Sequence, residues 1–165
     1  MEFKIDNHQE EYLNSINFME NRVNEIIKGL SNDLIWFVNY PSIYTFGPQT
    51  IESDLKIKDL FPVYETSRGG KLTYHGPGQR TVYLMIDLNK RTKDIKKFVR
   101  KIELVILKTL SFYNIEGELN NDHHGVFVQK NMRAHKIASI GLKFKKWTSF
   151  PVSYTHLTLP TTTIV

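Results

Sequence analysis

The densest run of chemistry-bearing residues is Arg68-Gly69-Gly70-Lys71-Leu72-Thr73-Tyr74-His75-Gly76-Pro77-Gly78-Gln79. Four glycines and a proline in so short a stretch require backbone that takes positive φ or admits another molecule close to its bare amides. Arg68, Thr73, Tyr74, His75 and Gln79 surround that backbone with hydrogen-bonding groups, which is the equipment of a site that grips a carbonyl or a phosphate. The run lacks the lysine-serine/threonine ending of a P-loop and the spacing of the dinucleotide fingerprint, so neither nucleotide motif explains it. A structural loop between two strands accounts for the same composition equally well.

A second group is Ala134-His135-Lys136-Ile137-Ala138-Ser139-Ile140-Gly141. A lysine opening an apolar strand is expected to be partly desolvated, an environment that suits it to proton transfer or to holding a thiolate. A plain edge-strand lysine is the commoner use of that position. The six histidines raise metal binding, above all His123-His124. Neighbours on a strand point to opposite faces, and there is neither a His-x-x-x-His pair nor a cysteine, so no metal site is expected. His75, inside the glycine-rich run, is the one histidine singled out for function.

These residues need elements to hold them. Tyr12, Ile16, Met19, Val23, Ile26 and Leu30 fall on one face of a helix expected over 7–29, with Asp6 or Asn7 as its cap. Residues 34–40 read as a buried strand ended by Pro41, and 63–67 and 81–88 as two more, with 69–78 an irregular loop between them. The strongest helix is 93–113. Ile95, Phe98, Val99, Ile102, Val105, Ile106 and Leu110 make its stripe, and Lys93, Lys96, Lys97, Arg100, Lys101 and Lys108 crowd the other side. Residues 125–128 and 136–146 read as strands. The expected fold class is α/β, α+β-like: a mixed β-sheet packed by helices.

With 165 residues and 41% hydrophobic content, the chain suits one domain with a real core. No apolar run approaches the roughly 20 residues that span a bilayer, and the first ten residues carry no signal-peptide stretch; a cytoplasmic protein is expected. Zero cysteines exclude disulfides, thiolate metal sites and a cysteine nucleophile within these residues. The net charge of +5 favours an acidic partner without naming it. Trp36, Phe37 and Tyr40 sit in a continuous apolar run and read as core rather than as stacking platforms, so nucleic acid is not an expected partner, and neither is a membrane. The basic face of 93–108 is read first as a solvated surface, and second as a dock for acidic proteins.

Residues 68–79, followed by Tyr83 and Ile86-Asp87-Leu88, closely resemble the signature loop of the octanoyl-acyl-carrier-protein:protein octanoyltransferases, and 136–141 resemble the family's second signature. Pro41 to Gly47 and Gly125 to Val128 fall where the family has similar stretches, and the co-linear likeness covers roughly residues 10–150. The resemblance implies the fold of lipoate and biotin protein ligases. It implies transfer of octanoyl from octanoyl-acyl carrier protein, through an enzyme cysteine thioester, to a lysine of the lipoyl domains of 2-oxoacid dehydrogenase and glycine cleavage proteins. No cofactor is implied. Lys136 would lower the pKa of the cysteine; Arg68, Gly69, Gly70, Lys71, Leu72, Thr73, Tyr74, His75, Ser139, Ile140 and Gly141 would bind the acyl substrate. Ile137 and Ile140 are candidates for an acyl-tunnel wall or for ordinary core. An ATP-dependent lipoate or biotin ligase of the same fold is the nearer alternative, but such loops typically end histidine-aspartate-x-glycine-asparagine, whereas this one ends His75-Gly76-Pro77-Gly78-Gln79.

The likeness stops at Phe150, where the family continues into a histidine-glycine pair and, later, the nucleophilic cysteine. Residues 151–165 hold no Asp, Glu, Lys or Arg in a chain that is 24% charged, and five of them are threonine; they read as a non-native tail such as a translated sequencing adapter. Residues 1–150 are accordingly expected to be a truncated catalytic domain, inactive as given, with its sheet edge near 136–150 uncovered and low solubility as the result.

Overall fold

In the computed structural model, residues 1–47, 60–66, 72–120 and 125–150 are described, together with the backbone of 155–157. Arg68 to Lys71 and His123-His124 lie outside the described residues. The main sheet is mixed, as the sequence predicts. It runs β1 (Glu2–Gln9), β2 (Leu34–Asn39), β6 (Arg80–Met85), β12 (Thr155–Leu157), β9 (Arg133–Ser139), β8 (Val126–Lys130) and β7 (Glu118–Leu119) in spatial order. β1 and β2 are parallel, and the remaining neighbours are antiparallel. A small sheet places β3 (Ile43–Phe46) between β4 (Val63–Glu65) and β5 (Thr73–His75), and β10 (Lys143–Lys145) with β11 (Thr148–Phe150) form a separate hairpin.

Strict alternation of burial gives β2 one core face. Leu34, Trp36 and Val38 are buried on the face that α1 (Tyr12–Ile27) covers with Tyr12, Met19, Val23 and Ile26. Each such side chain contributes on the order of 1.5–3 kcal/mol on burial. A second core forms where α2 (Ile95–Phe112) packs Ile102, Ile106 and Leu110 against Val126, Ile137 and Ala138 of β8 and β9. Asp94 caps α2 by accepting from the Lys97 amide at 2.9 Å. Trp36 and Tyr40 are core, as expected, each 1% exposed, whereas Phe37 is half-buried on the other face of the strand.

Several elements differ from the reading of the sequence. The N-terminal segment is a strand, not the run-in to a helix: alternation of Phe3 and Ile5 with Lys4 and Asp6 fits a sheet edge, so α1 starts at Tyr12 and Leu30 is left 73% exposed. Neither Asp6 nor Asn7 caps α1; its N-cap is Glu11. Thr73–His75, placed in the irregular loop, is a strand because its residues pair with Ile43–Thr45, a partner that local sequence does not reveal. The strand expected over 136–146 ends at Ser139, and the chain resumes as the β10–β11 hairpin, turning at Lys146 and Trp147 with positive φ. β9 is not an uncovered edge, because the backbone of β12 lies between it and β6, in the segment the sequence sets apart as foreign.

A buried polar lock fixes the sheet against the β10–β11 hairpin. Asp33 Oδ1 accepts from the Asp87 amide at 2.9 Å, while Arg91 pairs with Asp33 at 2.5 Å and donates to the Asp87 carbonyl at 2.8 Å. The Ser149 amide donates to the Ile86 carbonyl at 2.8 Å and the Ser149 hydroxyl accepts from the Ile86 amide at 2.9 Å. Among the described residues, no helix is long and apolar enough to cross a membrane.

Candidate functional site

The described part of the glycine-rich run is a hydrogen-bonded aromatic cluster. His75 is 1% exposed, its Nε2 is 3.1 Å from Thr45 Oγ1, and its ring lies edge-on to Tyr40 with centroids 5.9 Å apart. Tyr40 and Tyr83 share a hydroxyl–hydroxyl bond of 2.9 Å, and burial pushes the Tyr40 phenol well above its usual range despite hydrogen bonds from Ser15 and Tyr83. Tyr74 points the other way along β5. Its hydroxyl is 2.9 Å from Ser42 Oγ and its ring packs on Tyr44 and Phe61. A Cβ on Gly76 would stand 2.1 Å from the Tyr74 hydroxyl oxygen, so the glycine lets that ring fold across the chain. Gly78 supplies the left-handed turn at φ 84° that delivers the chain into β6.

The second group lies across one intervening strand. Leu157 of β12 is in register with Arg80 on one side and Ala138 on the other, both antiparallel to it. β6 and β9 therefore run the same way, roughly 9.6 Å apart at two strand spacings. The end of the glycine-rich run and Lys136 consequently lie at the same end of the main sheet. Thr73, Tyr74 and His75 lie in the small sheet, with Leu72 just before them half-buried; Ser139 ends β9 and Ile140 and Gly141 follow it, all three half-buried.

Lys136 is exposed in this structure, rather than partly desolvated as its apolar neighbours imply. The reason is a bulge: β8 pairs Val126 with Ala138 and then Phe127 with Lys136, so the register shifts and Ile137 takes the inward position. Lys136 Nζ sits 5.2 Å from the centre of the Phe127 ring, a cation–π distance. Ile137 is buried in the α2 core and Ile140, half-buried, packs against it.

Sequence reasoning missed Gly125 as a device in its own right. Its φ is +122°, and an added Cβ would stand 2.4 Å from the Ala138 carbonyl oxygen and 3.5 Å from Lys136 Cε. Its amide points at the carboxylate of Glu103, a buried acid on α2 whose other oxygen is 3.5 Å from Arg100. A glycine before a strand was the only signal available. Among the described residues, no group of three or more His, Asp or Glu side chains could hold a metal ion.

The family profile described as the lipoyl protein ligase A/B catalytic domain matches residues 11–163. An octanoyltransferase of Bartonella tribocorum is 40% identical over 159 residues, covering 91% of this chain and 65% of its own length. An octanoyltransferase of the Wolbachia of Culex pipiens is 41% identical over 150 residues, covering 90% of this chain and 73% of its own. The chain spans between 56% and 73% of the length of the curated octanoyltransferases it matches, 56% in the case of a relative from Brucella melitensis. In fold it is similar to the bipartite lipoate protein ligase of Thermoplasma acidophilum, with a TM-score of 0.66, 14% identity, and coverage of 98% of this chain and 63% of that one.

Proposed function

Because the chain belongs to the lipoyl protein ligase A/B catalytic domain family, we propose that it is the acyl-handling part of an octanoyltransferase of lipoate synthesis. Octanoyl passes from the phosphopantetheine thioester of acyl carrier protein to a lysine of a lipoyl domain, in 2-oxoacid dehydrogenase and glycine cleavage proteins, within the cytosol. A cysteine thiolate attacks the thioester carbonyl, the pantetheine thiol leaves with a proton, and the acyl group becomes a thioester of the enzyme. The lipoyl-domain amine then attacks that carbonyl, forms the amide and returns the thiol.

The thiol is not among these 165 residues, which contain no cysteine. The role assigned within the chain is to receive and orient the acyl group. Lys136 supplies a cation beside the thiolate, the ordinary way of lowering a thiol pKa from about 8.5. Arg68 to His75 grip the thioester and the start of the acyl chain, and Ser139 to Gly141 line its far side. Residues 1–150 contain every residue given a catalytic or binding role here, while 155–157 contribute the strand between β6 and β9.

The single observation that carries this reading is the register of Arg80 and Ala138 on either side of Leu157, which sets the His75-Gly76-Pro77-Gly78-Gln79 ending, just before Arg80, and Lys136, just before Ala138, at one end of the sheet. The choice between transferase and ATP-dependent ligase rests on that ending and on the relatives named octanoyltransferase. Joining residues 1–150 to the remainder of the Wolbachia relative tests it. The chimera is expected to octanoylate a lipoyl domain from octanoyl-acyl carrier protein with no ATP present. A strict requirement for ATP and free octanoate would assign the chain to the ligases instead.

A further inference from the structure

We infer that Phe127 is a positioning residue for the octanoyl transfer: its ring fixes the Lys136 ammonium at one point, where the charge acts on the attacking thiolate. The inference rests on the role proposed above for Lys136 and adds the residue that aims it. Phe127 is a buried aromatic with no ordinary packing role to explain it. It is 9% exposed, yet among the described residues it joins neither of the two apolar cores.

The bulge between β8 and β9 accounts for its placement. Val126 and Val128 pack with the α2 core, and strand alternation turns Phe127, between them, to the opposite face. On β9, Ile137 and Ala138 are consecutive and both enter that same core, which is where the register shifts. Lys136, the next residue back, therefore turns to the face that Phe127 occupies. The two are direct cross-strand partners, and side chains so opposed start roughly 4.5–5.5 Å apart at Cβ.

A lysine on a flexible stem samples many rotamers, which dilutes its charge at any one point. Two contacts restrict this one. Its Nζ lies over the Phe127 ring, 5.2 Å from the centre, inside the roughly 6 Å range of a cation–π attraction. Its Cε lies 3.5 Å from where a Cβ of Gly125 would stand, an ordinary van der Waals distance, so the stem runs past bare backbone at the start of β8. Buried Glu103 holds the Gly125 amide at 3.5 Å. A ring suits the task better than a carboxylate would. It attracts the ammonium through its quadrupole but brings no net charge to cancel it, so the cation's field remains for an incoming anion.

Two experiments test this, the first without any reaction. In the 165-residue chain, isotope-labelled at lysine Cε, the Lys136 ε-methylene signal is the one lost in Lys136→Arg. It is expected upfield of the main lysine envelope, since protons above a ring face are shielded, to stay there in Phe127→Tyr, and to rejoin the envelope in Phe127→Leu. In the chimera, Phe127→Leu should slow formation of the octanoyl thioester about two- to five-fold, the factor that one exposed cation–π contact corresponds to. Phe127→Tyr should recover most of the rate, and in a Lys136→Ala background Phe127→Leu should slow it no further. An unshifted Lys136 signal, a Phe127→Leu chimera as fast as wild type, or the same slowing without Lys136 would overturn the inference. Equal rates for the wild-type and Lys136→Ala chimeras would strike the role of Lys136 itself, and this inference with it.

Discussion

At Gly125 a single hydrogen atom decides whether the strand carrying Lys136 can sit where it does. Gly125→Ala combines a φ of +122° with a Cβ 2.4 Å from the Ala138 carbonyl oxygen, a backbone atom that cannot step aside. Strained backbone of this sort costs about 1–3 kcal/mol. The variant is expected to melt several degrees below wild type and to weaken the β8–β9 pairing, read as faster amide exchange at Phe127 and Ala138; an unchanged melt would contradict the geometry. Asp6 gives a second test. Burial alone would raise its pKa, but hydrogen bonds from Lys4 and Trp36 hold it below the usual carboxylate value of 3.8. A depressed folded pKa contributes stability that is present above that value and is lost as pH falls through the folded pKa. The gap in urea midpoint between wild type and Asp6→Asn should therefore narrow as pH falls from 5 to 3, below the unfolded carboxylate pKa of about 3.9. A constant gap would show that Asp6 gains nothing from its charge.

Elements were legible where their own residues decide them. α2 announced itself through Ile102, Ile106 and Leu110 at helical spacing, and β2 through a dense run of aromatic and branched residues ended by Pro41. What escaped was decided elsewhere in the chain. β5 exists because β3 lies beside it, and β9 stops at Ser139 because the next residues turn into a hairpin. Lys136 was read as half-buried from its apolar neighbours, yet the bulge opposite Val126 gives Ile137 the inward position; one residue of register reverses such an inference. The outer face of α2 remains basic and exposed, with Lys96, Lys97, Arg100, Lys101 and Lys108 all accessible. If it docks acidic carrier proteins, Lys97→Glu with Arg100→Glu in the chimera should raise KM for octanoyl-acyl carrier protein at least several-fold with kcat little changed, the difference shrinking in salt. Equal KM values would leave that face as solvated surface.

On the scale of the whole molecule, the family was legible before the fold. The glycine-rich run and the 136–141 segment are read off the chain directly, and the matched profile and relatives agree. Their spatial relation was not legible, because it depends on β12, whose residues the sequence sets apart by composition, lying between β6 and β9. The described residues thus bring the end of the glycine-rich run and Lys136 to one end of the sheet, and the chain holds no cysteine. The most direct measurement is intact mass after mixing octanoyl-acyl carrier protein, without ATP, with the 165-residue chain and with the cysteine-bearing chimera. The chimera should gain one hydroxylamine-labile octanoyl group, more slowly with Lys136→Ala, and the 165-residue chain none. An octanoyl adduct on the 165-residue chain, or none on the chimera, would contradict a cysteine thioester held beside Lys136.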